Sequence, residues 1–345
     1  MHRFDYRFLK DSVPAQTLGI LGIVADLNAR EEMRETANPK VFDLLRHSAR
    51  IDSVRSSNAI EGIVTAKDRY PVLLEQNEPP VGHDEKEILG YRQALDEIYG
   101  PDLPTLSEGL IRHFHRLLFA QTSNRAGMYK REDNWIQERD ARGRIHVRFV
   151  PVPAAETEEA MNQLILAWRE AAQDPSIHPL LLTACFVVDF LCIHPFADGN
   201  GRVSRLLTSL LLERAGFRIS RFISLDRITQ EYLCGYYEAL KQSSAGWHEN
   251  RSSYDPFIIY LMQILYRAYK ELDDRFVANQ TARVPKARQI ENLLLNTFVP
   301  VSKQHIAERF PDISVTTIER VLSQMLKREQ IVKIGSRKDA RYKVK

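Results

Sequence analysis

The chain holds only three cysteines in 345 residues, Cys185, Cys192 and Cys234, and no CxxC pair. That scarcity argues against a disulfide-stapled fold and a cysteine-ligated metal, and the two thiols seven apart on one apolar stretch read as buried core groups. Glycine and proline are sparse as well, 15 and 16 residues, which excludes collagen-like and low-complexity structure. No apolar run is long enough to cross a bilayer. The strongest, Leu180 to Ile193, contains Asp189 and falls short of the roughly 18 residues a span needs. The opening residues are broken by Asp5, Arg7, Lys10 and Asp11 and lack a secretory-signal pattern. A cytoplasmic protein with no membrane partner is expected.

Net charge is nearly absent in total, +3, but not along the chain. Residues 283–345 hold 14 Lys/Arg against 6 Asp/Glu, a local +8 that leaves −5 for the remainder. With 44% hydrophobic and 27% charged residues the composition is that of a helix-rich globular protein, and the length predicts two or three domains.

Helical periodicity is read over Pro14 to Ala29, from Lys40 through the fifties (Val41, Leu44, Leu45, Ile51), and over Glu85 to Tyr99 and Leu106 to Gln121. A proline-rich loop, Glu78 to Gly82, separates the second from the third. Between Gly127 and Pro153 the pattern turns to short β pieces, Asn134 to Gln137 and Arg144 to Val150, about a turn at Asp140 to Gly143. Helices resume at Glu156 to Ala172, in the apolar stretch ending at Ile193, and at Arg202 to Ala215, Thr229 to Ser243 and Pro256 to Ala278. His194 to Gly201 must be a loop, since Pro195 removes a donor and two glycines lie close together.

That loop reads HPFADGNGR from His194 to Arg202. Glycines let a backbone approach a phosphate, and the amides of the following helix point at it with the positive end of the helix dipole. Arg202 and Arg205 add charge for outer phosphates. Asp198 suits Mg²⁺ shared with phosphate oxygens and water, and His194 suits removal of a proton from a hydroxyl. The competing reading is a plain turn with a capping aspartate and a core histidine.

The nine residues resemble the signature of the Fic family, HPFx(D/E)GNGR, at every specified position, and the likeness extends over about residues 40–260. It implies a mainly α chain: a Fic helical fold with a β-hairpin flap, joined to a C-terminal winged helix domain. It also implies a protein adenylyltransferase that binds ATP with Mg²⁺ and moves AMP to a Ser, Thr or Tyr hydroxyl of a protein target, its own chain included. His194 would be the base, Asp198 the metal ligand, and Gly199, Asn200 and Gly201 the phosphate cradle beside Arg202 and Arg205. Related Doc toxins carry Lys where Gly201 stands and transfer phosphate, so the glycine favours adenylylation. The hairpin Trp135 to Val150 falls where the family has its target-pinning flap, with a purely structural hairpin as the alternative. Tyr236 and Tyr237 resemble adenine-side residues, with core packing as theirs.

Ser57-Asn-Ala-Ile-Glu61-Gly62 matches the family's inhibitory motif (S/T)xxxE(G/N). Four-residue spacing puts Ser57 and Glu61 on one helical face. The resemblance sets Glu61 against Arg205, where a carboxylate takes the room and charge of the γ-phosphate. In some relatives the same glutamate also serves AMP removal. The expected domains are 1–100 with the inhibitory helix, 101–282 catalytic and 283–345 tail. The tail's pattern, with Ser302 and Ser314 as caps, resembles a winged helix-turn-helix. Thr316, Thr317, Arg320 and Gln324 would be on the recognition helix and Arg337 and Lys338 on the wing. DNA, a docking protein and a second copy in a homodimer are the partners it suits. The alternative function is a DNA-binding transcriptional regulator that senses nucleotide with little transfer.

Overall fold

The computed structural model describes residues 2–11, 13–76, 78–139, 143–281, 286–295, 297, 300–311, 313–335 and 340–344. It divides into two compact units, residues 1–65 with 79–272, and residues 66–78 with 273–345. The expected turn at 140–142, residues 283–285 at the start of the tail and the wing residues Arg337 and Lys338 lie outside the described residues.

The first unit is built around α7 (Pro179–Ile193), in which every residue from Leu180 onward is buried. A helix apolar on all sides has no solvent face and so becomes the core itself. Its neighbours are α6 (Thr157–Ala172) and α8 (Asn200–Arg214). Asp189, in the middle of α7, is fully buried and accepts from Tyr6 Oη (2.7 Å), Trp247 Nε1 (2.8 Å) and Tyr254 Oη (2.8 Å). These three donors satisfy a charge that could not otherwise remain inside. Burial still pushes its carboxyl up to about 6.

Before this core come α1 (Ala15–Ala37), α2 (Pro39–Ile60), α4 (Gly82–Ile98) and α5 (Glu108–Phe119). The first outruns its expected end by eight residues and is separated from α2 only by Asn38, whose backbone leaves the helical region before Pro39. Gly90 is needed where α4 crosses α5, because a methyl group there would run into Leu117 O. A two-stranded antiparallel hairpin follows, β1 (Ile136–Arg139) and β2 (Ile145–Phe149). The single helix expected from Thr229 to Ser243 is instead α9 (Leu225–Glu231) and α10 (Leu233–Ser244), broken at Tyr232 (φ −112°, ψ 33°). Arg267 holds that residue from outside, its guanidinium 4.2 Å from the ring centroid and donating to the hydroxyl at 2.9 Å. The long α11 (Asp255–Thr281) completes this stretch. Cys185 and Cys192 are buried and Cys234 is exposed.

The second unit contains α3 (Arg69–Glu75), which periodicity did not reveal because Pro71 sits inside its first turn, where proline is tolerated. It also holds α12 (Lys286–Leu295), β3 (Val301–Ser302), α13 (Lys303–Arg309), α14 (Val315–Lys327), β4 (Ile331–Ile334) and β5 (Arg341–Val344). The strands form one antiparallel sheet in the order β3-β5-β4. Ser302 and Ser314 cap α13 and α14, accepting from His305 N and Thr317 N. Ile290, Ile306, Ile318, Val321 and Met325 are the centre of a separate core. Thr316, Arg320 and Gln324 are exposed on α14, while Thr317 is half-buried with its hydroxyl 3.0 Å from that of Ser314. No helix among the described residues is long and apolar enough to cross a membrane.

Candidate active site

The loop between α7 and α8 is held from several sides. His194 ends α7 with φ 52° and ψ 60°, the left-handed region that residues with a Cβ enter at a cost. Its Nδ1 lies 3.2 Å from Leu191 O. A carbonyl only accepts, so Nδ1 carries the proton and Nε2 keeps its lone pair. Burial, foremost, pushes the imidazole down to about 4, so it is neutral at pH 7.

Asn200 stitches the loop across its width, accepting from Phe196 N (2.9 Å) and donating to Phe196 O (2.8 Å). Lys130 Nζ donates to Ile193 O (3.1 Å) and to Asn134 Oδ1 (2.8 Å), and Asn134 Nδ2 donates to Phe196 O (3.1 Å). Burial pushes Lys130 down to about 8. His115 stacks flat on Phe196 at 3.9 Å and accepts from Gly127 N at 2.8 Å, with burial pushing it down to about 4. Sequence reading missed all three supports. No local pattern marks them, since Lys130 and Asn134 bound the charged run KREDN and His115 is one of two histidines on an amphipathic helix.

At the start of α8 the amides of Asn200, Gly201 and Arg202 lack intrahelical acceptors. Glu61, just after α2, lays its carboxylate over that end: a methyl group on Gly201 would run into Glu61 Oε1. The same Oε1 accepts from Arg205 Nη2 at 2.9 Å. Arg205 also donates from Nε to Ser57 Oγ (2.7 Å) and from Nη2 to Ser57 O (2.8 Å), with Asp226 Oδ1 3.7 Å from Nε. Burial alone would lower the Arg205 pKa, but the surrounding negative charge, Glu61 foremost, outweighs it and holds the group above its ordinary value. Arg205 Nη1 is buried and has no hydrogen-bond partner among the described residues.

His194, Asp198, Gly199, Asn200, Gly201, Arg205, Glu61, Tyr236 and Tyr237 all line one cavity of about 230 Å³, together with Arg148, Phe149, Cys192 and Leu240. Tyr236 is buried against Phe257 and Tyr260, so it is core and wall at once, whereas Tyr237 is exposed. Arg202 is not in that wall. Its guanidinium is 1% exposed, donates to Glu87 Oε2 (2.7 Å) and Asn58 Oδ1 (3.3 Å), and lies over the Phe119 ring. Ser57 lies behind Arg205 and reaches the cavity only through it.

Asp198 is exposed to the cavity, with Oδ1 accepting from Gly199 N at 2.6 Å. No cluster of three or more metal-ligating side chains occurs among the described residues. One carboxylate beside a row of amides fits a hard cation that arrives with phosphate oxygens and water as its other ligands.

A helix end with free amides, a neutral histidine and a buried arginine lacking one acceptor suit a phosphorylated ligand. Residues 105–212, from just before α5 through most of α8, match the Fic/DOC family model. The chain is 28% identical over 242 residues to a protein adenylyltransferase Fic of Nematostella vectensis, covering 65% of this chain and 48% of that protein. It thus spans about half the length of that relative. A protein of the same description from Drosophila mojavensis is 48% identical over 50 residues, 14% of this chain and 10% of its own. Among solved structures, a Fic family protein of Desulfovibrio desulfuricans superposes with a TM-score of 0.62 at 20% identity, covering 97% of each chain. Fic-1 of C. elegans does so at 0.53 and 21%, covering 75% of this chain and 72% of its own. These two likenesses are of fold.

Proposed function

We propose that this protein is a protein adenylyltransferase that moves AMP from ATP to a Ser, Thr or Tyr hydroxyl of a protein, and that Glu61 holds it idle. The observation that carries the reading is the Glu61 carboxylate seated over Gly201 and bonded to Arg205, a negative group where a phosphate belongs. In transfer, the acceptor oxygen attacks the α-phosphorus while His194 Nε2 takes its proton. The bond from that phosphorus to the oxygen bridging the β-phosphate breaks, and pyrophosphate leaves. The neutral imidazole and its open nitrogen suit this duty. The amides of α8 and Arg205 hold phosphate oxygens once Glu61 withdraws. Asp198 would be the protein ligand of a Mg²⁺ that arrives with the triphosphate, and the ion would supply charge neutralisation there. Tyr236, Tyr237 and Leu240 form the apolar side for the base. The open edges of the β1–β2 hairpin suit capture of the acceptor chain by strand addition.

Incubation with ATP labelled at the α-phosphate tests this. Glu61→Gly is expected to label protein well above wild type, and adding His194→Ala is expected to reduce that label by about 10²-fold or more. Equal labelling of wild type and Glu61→Gly removes the inhibitory role, and label that survives His194→Ala removes the base.

The second unit supports a further reading as a winged helix that meets DNA. Two capped helices, an antiparallel sheet and the exposed Thr316, Arg320, Gln324 and Lys327 on α14 carry it.

A further inference from the structure

Arg148 was not among the residues that the motifs single out, yet it stands in the wall of the cavity. Its position on β2 explains how. Ile136 pairs with Phe149 and Gln137 pairs with Val147, so Arg148 is the extra, unpaired residue of a β-bulge. In a regular strand, neighbouring side chains point to opposite faces. Here the consecutive residues Arg148 and Phe149 both line the same cavity, because the bulge turns the arginine inward. The guanidinium makes no hydrogen bond or ion pair among the described residues, and its Nη1 is buried. Removing a guanidinium nitrogen from water without an acceptor is costly, and a bulge that produces this in a cavity calls for an anionic ligand. Arg148 and His194 line the same cavity, and while burial is the main cause of the lowered His194 pKa, the charges of Lys130 and Arg148 add to it. Arg205 lies by Glu61 and Gly201.

We propose that Arg148 is a nucleotide-contacting residue that donates to the α-phosphoryl oxygens beside His194, so that the hairpin is part of the nucleotide site. This rests on the adenylyl-transfer reading above. It assigns the hairpin a second duty besides holding an acceptor. Each transfer would require the bulged strand to be in place over the bound nucleotide.

The test compares Glu61→Gly with Glu61→Gly/Arg148→Met and Glu61→Gly/Arg148→Lys, as full chains, by equilibrium binding of ATP, AMP and adenosine without any acceptor. Arg148→Met is expected to weaken ATP and AMP about tenfold and to leave adenosine unchanged. Arg148→Lys is expected to restore part of the loss, since it keeps the charge without the fork. An unchanged thermal midpoint in both variants shows that the fold is intact, as the absence of partners for Arg148 leads one to expect. Loss for ATP but not AMP overturns the α-phosphoryl assignment. Unchanged binding of all three overturns the inference. If Glu61→Gly itself binds neither ATP nor AMP, the reading beneath it fails as well.

Discussion

His194 combines a strained backbone, a half-buried ring and one committed nitrogen. Its pKa in the fold is about 4, below the ordinary 6.5, so the neutral form persists as pH falls and is lost only on passing through 4. The rate of Glu61→Gly is therefore expected to hold level from pH 7 down to about 5 and to drop near 4. An acid limb centred near 6.5 in the pH–rate profile would show a solvated histidine instead. Asp189 acts at the same scale on stability. Asp189→Ala leaves Tyr6 and Trp247 with buried donors and no acceptor, while Tyr254 Oη keeps His2 Nε2 at 3.2 Å, and a loss of about 2 kcal/mol or more is expected in urea unfolding. A loss under about 1 kcal/mol would mean that water replaces the carboxylate.

Among the elements, α7, α8 and the loop between them were legible in the amino-acid pattern. An all-round apolar run can only be core, and Pro195 with two glycines can only interrupt it. The hairpin was legible too, but not its bulge, since nothing in Arg144 to Val150 marks which residue goes unpaired. The split at Tyr232 was missed because Arg267, which holds it, lies on another helix. The contact of α4 with α5 gives a test at this scale. Gly90→Ala drives a methyl group into Leu117 O, so the helices must separate. A destabilisation of about 1–3 kcal/mol is expected in chemical denaturation, and a neutral result would show that the crossing is loose.

For the whole molecule, a total charge of +3 describes neither part, because residues 283–345 carry +8 and the remainder −5. If the second unit meets DNA, the full chain is expected to bind a duplex column at low salt and to elute as salt rises, with Arg320→Ala/Lys327→Ala eluting earlier. No retention at low salt removes DNA and leaves protein docking. The loop, its histidine, its aspartate and the helix start that gathers anion-binding amides were settled by local sequence alone, because glycine, proline and apolar periodicity act over a few residues. Tertiary structure alone decided which side chains meet there. Glu61 reaches Arg205 across 144 positions in the chain, Arg202 turns away to Glu87, and Arg148 is turned inward by a bulge. The first two outcomes depend on which charges the packed core can bury in pairs and the third on how two strands pair, long-range conditions that no short stretch of residues encodes.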